Sequence, residues 1–187
     1  MKTVLLAAGI SLFATGVHSQ QQAVDTKQST LSIHVGKAGI FSGLGHEHDI
    51  RGPIHIGRVV TGAHPSVEVH VDARALKVID KDEPEKDRAA VQKTMLGPQV
   101  LDSERFNDII YKSASAEPTG EGQWVVHGDL TLRGRSRPVN VQVRLKDGHY
   151  IGEAVVKQTD FGIKPPGKMG VRAADEVRIE FDVLLAR

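Results

Sequence analysis

An all-β fold, an antiparallel sheet of about eight strands with one helical insertion, is predicted by three features of this 187-residue chain. Apolar and polar residues alternate with a period of two in segment after segment. Short Gly-, Pro- and Asp-containing turns separate those segments. One stretch, residues 84–96, carries helix signals instead. Successive strand side chains point to opposite faces, so strict alternation means one apolar face per strand. A sheet of such strands buries that face by closing into a barrel or folding into a sandwich.

The first alternating segment places Leu31, Ile33 and Val35 on one face against Ser32, His34 and Gly36. Ile54 and Ile56 continue the apolar theme after Pro53, and Val67, Val69, Val71 and Ala73 then oppose Glu68, His70 and Asp72. The pattern breaks at Asp80. Asp82-Glu83-Pro84-Glu85 supplies a cap, an early proline and acids for a helix start, and Gly97-Pro98 supplies the stop, so residues 84–96 are expected to be helical. A second short turn is expected to start at Asp102 and lead to Phe106.

Alternation resumes after Asp108. Trp124, Val126, Gly128, Leu130 and Leu132 share a face, as do Val139, Val141, Val143 and Leu145, with a turn over residues 133–138 between them. Asp147-Gly148 marks another hairpin, and Tyr150 to Lys157 is a weaker strand. Val177, Ile179, Phe181, Val183 and Leu185 form the apolar face of the last strand. Gly128, Gly152 and Ala154 are small residues at inward positions; they either leave room in the interior or mark kinks at barrel corners.

Residues 1–19 read as a secretory signal peptide: Lys2, an apolar run from Val4 to Val17, and a Val17-His18-Ser19 cleavage site. Residues 20–28 are a polar, flexible lead-in, and 29–187 form the domain. The expected location is periplasmic or secreted. With no cysteine, the exported chain relies on its core rather than on disulfides. Loss of Lys2 lowers Lys+Arg from 24 to 23, equal to the 23 Asp+Glu. Neutrality and the lack of a long basic block argue against nucleic acid as a partner. The Arg133, Arg135, Arg137 cluster is read as a solvated hairpin tip, with an anionic head group as the alternative. There is no Gly-x-Ser-x-Gly elbow and no cysteine nucleophile, and the chain is read as a binding protein rather than an enzyme.

Three ordered blocks carry a family resemblance. His127-Gly128-Asp129-Leu130-Thr131-Leu132-Arg133-Gly134, continuing through Arg137-Pro138-Val139, resembles the GDLTLxGxxxPV signature of the YceI-like, polyisoprenoid-binding periplasmic proteins. Thr159-Asp160-Phe161-Gly162-Ile163 followed by Asp175-Glu176-Val177-Arg178-Ile179 resembles the second block of that family, and residues 100–115 are similar to its middle section. The resemblance implies an antiparallel, eight-stranded lipocalin-like barrel holding a long isoprenoid chain, such as a quinone tail, in its interior. It implies an apolar small-molecule partner and transient membrane contact for ligand exchange, and leaves oligomerisation open. Phe41, Leu44, Trp124, Leu130, Val143, Phe161 and Phe181 are the expected wall.

The chain departs from the family at His46-Glu47-His48-Asp49. If residues 44–50 are extended, His46 and His48 share the inward face of Leu44 and Ile50, whereas His34, His70 and His127 lie on polar faces. Inward imidazoles need partners, because an unpaired buried polar group costs about 1–3 kcal/mol. Backbone or water, the head group of a ligand, or a metal shared by His46 and His48 would each supply one, the last needing a third or fourth ligand.

Overall fold

The computed structural model describes residues 19–40, 43, 46–62, 64–168 and 170–186; residues 1–18 of the segment expected to be a signal peptide, Phe41 and Leu44 lie outside the described residues. Twelve strands form one sheet in which every pairing is antiparallel. They are β1 (Gln20–Ala23), β2 (Thr30–Ala38), β3 (His48–Gly52), β4 (Ile56–Thr61), β5 (Ser66–Asp72), β6 (Lys77–Val78), β7 (Asp108–Gly120), β8 (Gln123–Leu132), β9 (Arg135–Lys146), β10 (His149–Lys157), β11 (Gly167–Lys168) and β12 (Val171–Leu184). One helix, α1 (Glu85–Leu96), follows β6. The sheet runs β1-β4-β5-β7-β8-β9-β10-β12-β2-β3-β6, with β11 on β12. It curls so that the chain leaving its edge strand β1 meets the chain leaving β12, where Val24 bridges Leu185. This is the lipocalin-like class of curled antiparallel barrel.

The expected count of eight is corrected to twelve, and the reason is local. β1 and β2 are separated by a turn at Asp25, whose carboxylate accepts the Lys27 and Gln28 N–H groups. β3 and β4 are separated by Pro53, which has no N–H for the ladder. β5 and β6 are separated by a 3-10 turn, Ala73–Ala75, capped by the Asp72 side chain on Arg74 N. The small β11 is additional. The stretch expected as a lead-in, 20–28, thus contains β1, held by backbone pairing to β4 from Gln20↔Thr61 to Ala23↔Arg58 rather than by apolar side chains. The break at Pro53 also separates Ile54, which is buried, from Ile56, which is exposed, so these two do not continue one face.

The other elements follow the alternation. The turn after β8 is two residues, Arg133 and Gly134, both at positive φ, rather than the six expected, and Asp147-Gly148 repeats that geometry after β9. Arg133 is not a free cation at a hairpin tip: its guanidinium donates to Gly162 O at 2.8 Å and Pro98 O at 2.7 Å, tying the hairpin to two neighbouring loops. α1 begins one residue after the expected start, with Pro84 in the cap position, and stops at Gly97 as expected. The turn at Asp102 leads to Phe106, whose N–H bonds Asp102 O at 2.9 Å.

The inward glycines turn out to admit aromatic rings. A Cβ on Gly128 would lie 2.8 Å from the Tyr111 ring and 2.6 Å from Lys112 O; one on Gly152 would lie 2.4 Å from the Phe181 ring. The missing side chains are replaced by a neighbour's ring, so these positions do not enlarge the interior. Ala154, by contrast, faces open space inside the barrel.

Candidate functional site

Register builds the interior in layers. Trp124 pairs with Val143, Val143 with Gly152, Gly152 with Phe181, and Phe181 with Leu31. Two residues further along the strands, Ala154, Ile179, Ile33 and Ile50 are in line. Two further again, Val156, Val177, Val35 and His48 are in line. The residues of these layers that line the interior enclose a cavity of about 1200 Å³. At 3.3 Å per strand residue, the first and third layers lie roughly 13 Å apart. α1 flanks the His48 end, contributing Asp87, Ala90, Val91 and Thr94 to the wall.

His48 thus takes the inward position that its parity with Ile50 predicts. Its side chain is 26 % exposed. His46 precedes β3 and also lines the cavity, at 66 % side-chain exposure, so the pair marks a polar rim where apolar wall meets solvent. Their partners are carboxylates: His48 Nδ1 lies 2.7 Å from Asp80 Oδ2, and His46 Nδ1 lies 2.6 Å from Glu83 Oε1. Asp80 is buried, and its second oxygen accepts the Asp49 N–H at 2.7 Å. Glu83 lines the cavity and Asp80 does not. Glu83, expected at the start of α1, therefore also serves His46, and Asp80, where the alternation breaks, serves His48. Among the described residues no group of three or more His, Cys, Asp or Glu is placed to hold a metal ion.

Of the expected wall, Trp124, Leu130, Val143, Phe161 and Phe181 all line the cavity. Phe161 is almost fully buried, at 1 % exposure, in the 3-10 turn 158–161. That turn is anchored by Asp175, whose carboxylate accepts Thr159 N–H at 2.9 Å and Thr159 Oγ1–H at 2.7 Å. The Thr159 hydroxyl, followed by its N–H, holds the Asp175 carboxyl below its ordinary value against a desolvation effect between them. Tyr111, absent from the expected wall, also faces the cavity. Its hydroxyl lies within donating distance of Val126 O at 3.1 Å and Val139 O at 3.2 Å. Burial first, then the Asp129 charge, pushes the phenol up to about 12.

His34, His70, His127 and His149 take the opposite face and pair outside the barrel, with Asp49, with Glu68 and Asp108, with Asn140 and with Asp182. His34 pairs in register with Asp49, one position from the inward Val35↔His48 pair. Alternation on two paired strands thus separates an outward imidazole from an inward one.

A curled antiparallel sheet with an apolar cavity and a polar rim puts the protein in the lipocalin-like barrel class. The chain belongs to the YceI-like domain family, which it matches over residues 22–185. Among curated sequences it is 27 % identical over 179 residues to a UPF0312 protein of Shewanella oneidensis, covering 88 % of this chain and 89 % of that one. A UPF0312 protein of Vibrio cholerae is 26 % identical over 188 residues, covering 89 % and 92 %. Among solved structures, BcnA of Burkholderia cenocepacia superposes with a TM-score of 0.66 at 19 % identity, covering 88 % of this chain and 99 % of that one. A polyisoprenoid binding domain from Saccharophagus degradans, implicated in plant cell wall breakdown, superposes at 0.56 and 12 % identity, covering 89 % and 97 %. These likenesses at low identity concern the fold.

Proposed function

We propose that this protein is an exported binding protein that holds a long apolar ligand, an isoprenoid lipid or quinone, along the inside of its barrel. The observation that carries the reading is the cavity: about 1200 Å³, walled by Val, Ile, Leu and aromatic side chains. That exceeds the 300–1000 Å³ usual for sites that enclose drug-sized molecules. Burying apolar ligand surface is worth about 25 cal/mol per Å², so a long chain suits this wall better than a compact polar solute. The polyisoprenoid binding described for the Saccharophagus degradans relative supports the same ligand class. Trp124, Leu130, Val143, Phe161 and Phe181 hold the chain, and His46 and His48 meet the polar end. Loading and release involve transient contact with a membrane, where such a ligand resides.

Organic extraction of protein purified from the periplasm, followed by mass spectrometry, tests this. A long-chain lipid recovered near one equivalent is the expected result; a clean extract, with no isoprenoid bound on addition, refutes it. A second reading rests on the carboxylate–histidine pairs, an arrangement that commonly orients metal ligands. On that reading His46 and His48 share a divalent metal. Elemental analysis of the same sample separates the two: metal lost in a His46→Ala/His48→Ala double variant supports the second reading, and none above background ends it.

A further inference from the structure

The two nitrogens of His48 have different fates. Nδ1 faces the Asp80 carboxylate at 2.7 Å, and that carboxylate is 5 % exposed and fixed from its other side by the Asp49 N–H. An ionised carboxylate only accepts, so on a neutral ring the hydrogen sits on Nδ1 and Nε2 carries the lone pair. Asp80 stands off the cavity wall while His48 is part of it, so the ring edge remote from Asp80 is the one presented to the cavity. The polar position that His48 gives this wall is therefore an acceptor.

We infer that the cavity selects a ligand whose polar end is a hydroxyl, donating to Nε2 of His48, over one with the same chain ending in an acceptor-only group. The inference rests on the lipid-binding reading and narrows it to a head group that carries a hydroxyl, an isoprenoid alcohol or quinol rather than a quinone. An ether or carbonyl oxygen brought to the same place would oppose one lone pair to another, leaving both unsatisfied at an apolar wall. His46 and Glu83 repeat the pairing nearer to solvent, where water competes and discrimination is weaker.

Asp80→Asn distinguishes this role from mere packing. Oδ1 must remain an oxygen, because its partner is the Asp49 N–H, so the new amide NH2 faces His48 Nδ1 and donates to it. The ring then carries its hydrogen on Nε2 and presents a donor to the cavity. The side chain keeps its shape while the hydrogen-bond polarity reverses.

The probes are geranylgeraniol and its methyl ether, which share one tail, titrated into the full chain at about pH 9, where imidazole is ordinarily neutral. The readout is fluorescence of Trp124, the single tryptophan of the chain and part of the cavity wall. The wild type is expected to favour the alcohol about five- to tenfold, the value of one neutral hydrogen bond. That preference falls to near one in His48→Ala and in Asp80→Asn, and the ether binds more tightly to Asp80→Asn than to the wild type. Equal binding of both probes by the wild type, or a preference kept in full by either variant, overturns the inference. Failure of both probes to bind the wild type is a different result and removes the lipid-binding reading itself. Thermal melts of both variants establish that each is folded, and His48→Ala decides the question if Asp80→Asn is not.

Discussion

The two halves of the barrel are built by different rules. From β7 through β10 and in β12 the strands are long and their turns tight, and alternation delivers an apolar residue to the interior at every second position. Tyr111 brings the main polar group to that wall, and carbonyls of the same half satisfy it. From β1 to β6 the ladder is interrupted at Asp25–Ser29, Pro53–His55 and Ala73–Leu76. This half brings the imidazole–carboxylate rim to the cavity, with His48 at the start of β3, His46 just before it, Glu83 just before α1 and Asp80 behind His48, while the other half adds Ser113, Gln158 and Arg172 to the lining. Continuous strands make the container, and breaks in the ladder admit the groups that give it selectivity.

The largest expected effect comes from filling the container. Ala154→Trp places an indole into the open interior beside Ile179 and displaces roughly 100 Å² of ligand contact, which at 25 cal/mol per Å² lowers affinity for geranylgeraniol by roughly 100-fold. Stability should change little, because the new ring occupies existing space. Fluorescence titration alongside urea melts checks both, and undiminished affinity would show that the ligand lies elsewhere.

Next in size is a change in the continuous half where there is no space. Gly128→Val meets Lys112 O and the Tyr111 ring at distances no Cβ tolerates, and should cost about 2 kcal/mol, seen as a lower urea midpoint at unchanged slope. Neutral behaviour there would mean the strands of that half yield more readily than their pairing implies.

Smaller still is a pH effect on the outer surface of the interrupted half. The hydrogen bond that His70 donates to Glu68 raises the imidazole above its ordinary value of 6.5; desolvation opposes this and Asp108 reinforces it. A raised imidazole contributes stability that is fully present below pH 6.5 and is lost as pH rises through its folded value. Glu68, lowered chiefly by the His70 bond from 4.5, contributes stability present above pH 4.5 and lost as pH falls through its folded value. Urea melts from about pH 6 to about pH 9 should show a shallow decline that His70→Gln flattens. An equal decline in the variant would assign it to another group.

Much of the container was legible in the alternation. Leu31, Ile33, Val35, Val67, Val69, Val71, Trp124, Val126, Val139, Val141, Val143, Val177 and Ile179 all face the cavity as their parity predicts. The inward side of His48 followed from the same parity. The partners of the two histidines were not legible: Asp80 follows His48 by 32 residues and the chain must turn through β4, β5 and β6 to bring it there. Acids before a proline read locally as helix-start residues, and only tertiary structure turns Glu83 toward His46. The breaks in β1–β6 were hidden for a related reason. A strand interrupted by a turn keeps its average hydrophobic pattern while losing its ladder, as the opposite fates of Ile54 and Ile56 show. Nor does a glycine in a sequence reveal whether a ring from the next strand will fill its place, as Tyr111 and Phe181 do at Gly128 and Gly152.

The central claim, that the barrel holds a chain lengthwise, is tested most directly by titrating a homologous series of isoprenoid alcohols while reading Trp124 fluorescence. Each added isoprene unit should tighten binding by about tenfold while it enters apolar wall, and the gain should stop when the cavity is full. Affinity that does not depend on chain length, from the shortest member upward, would contradict the account.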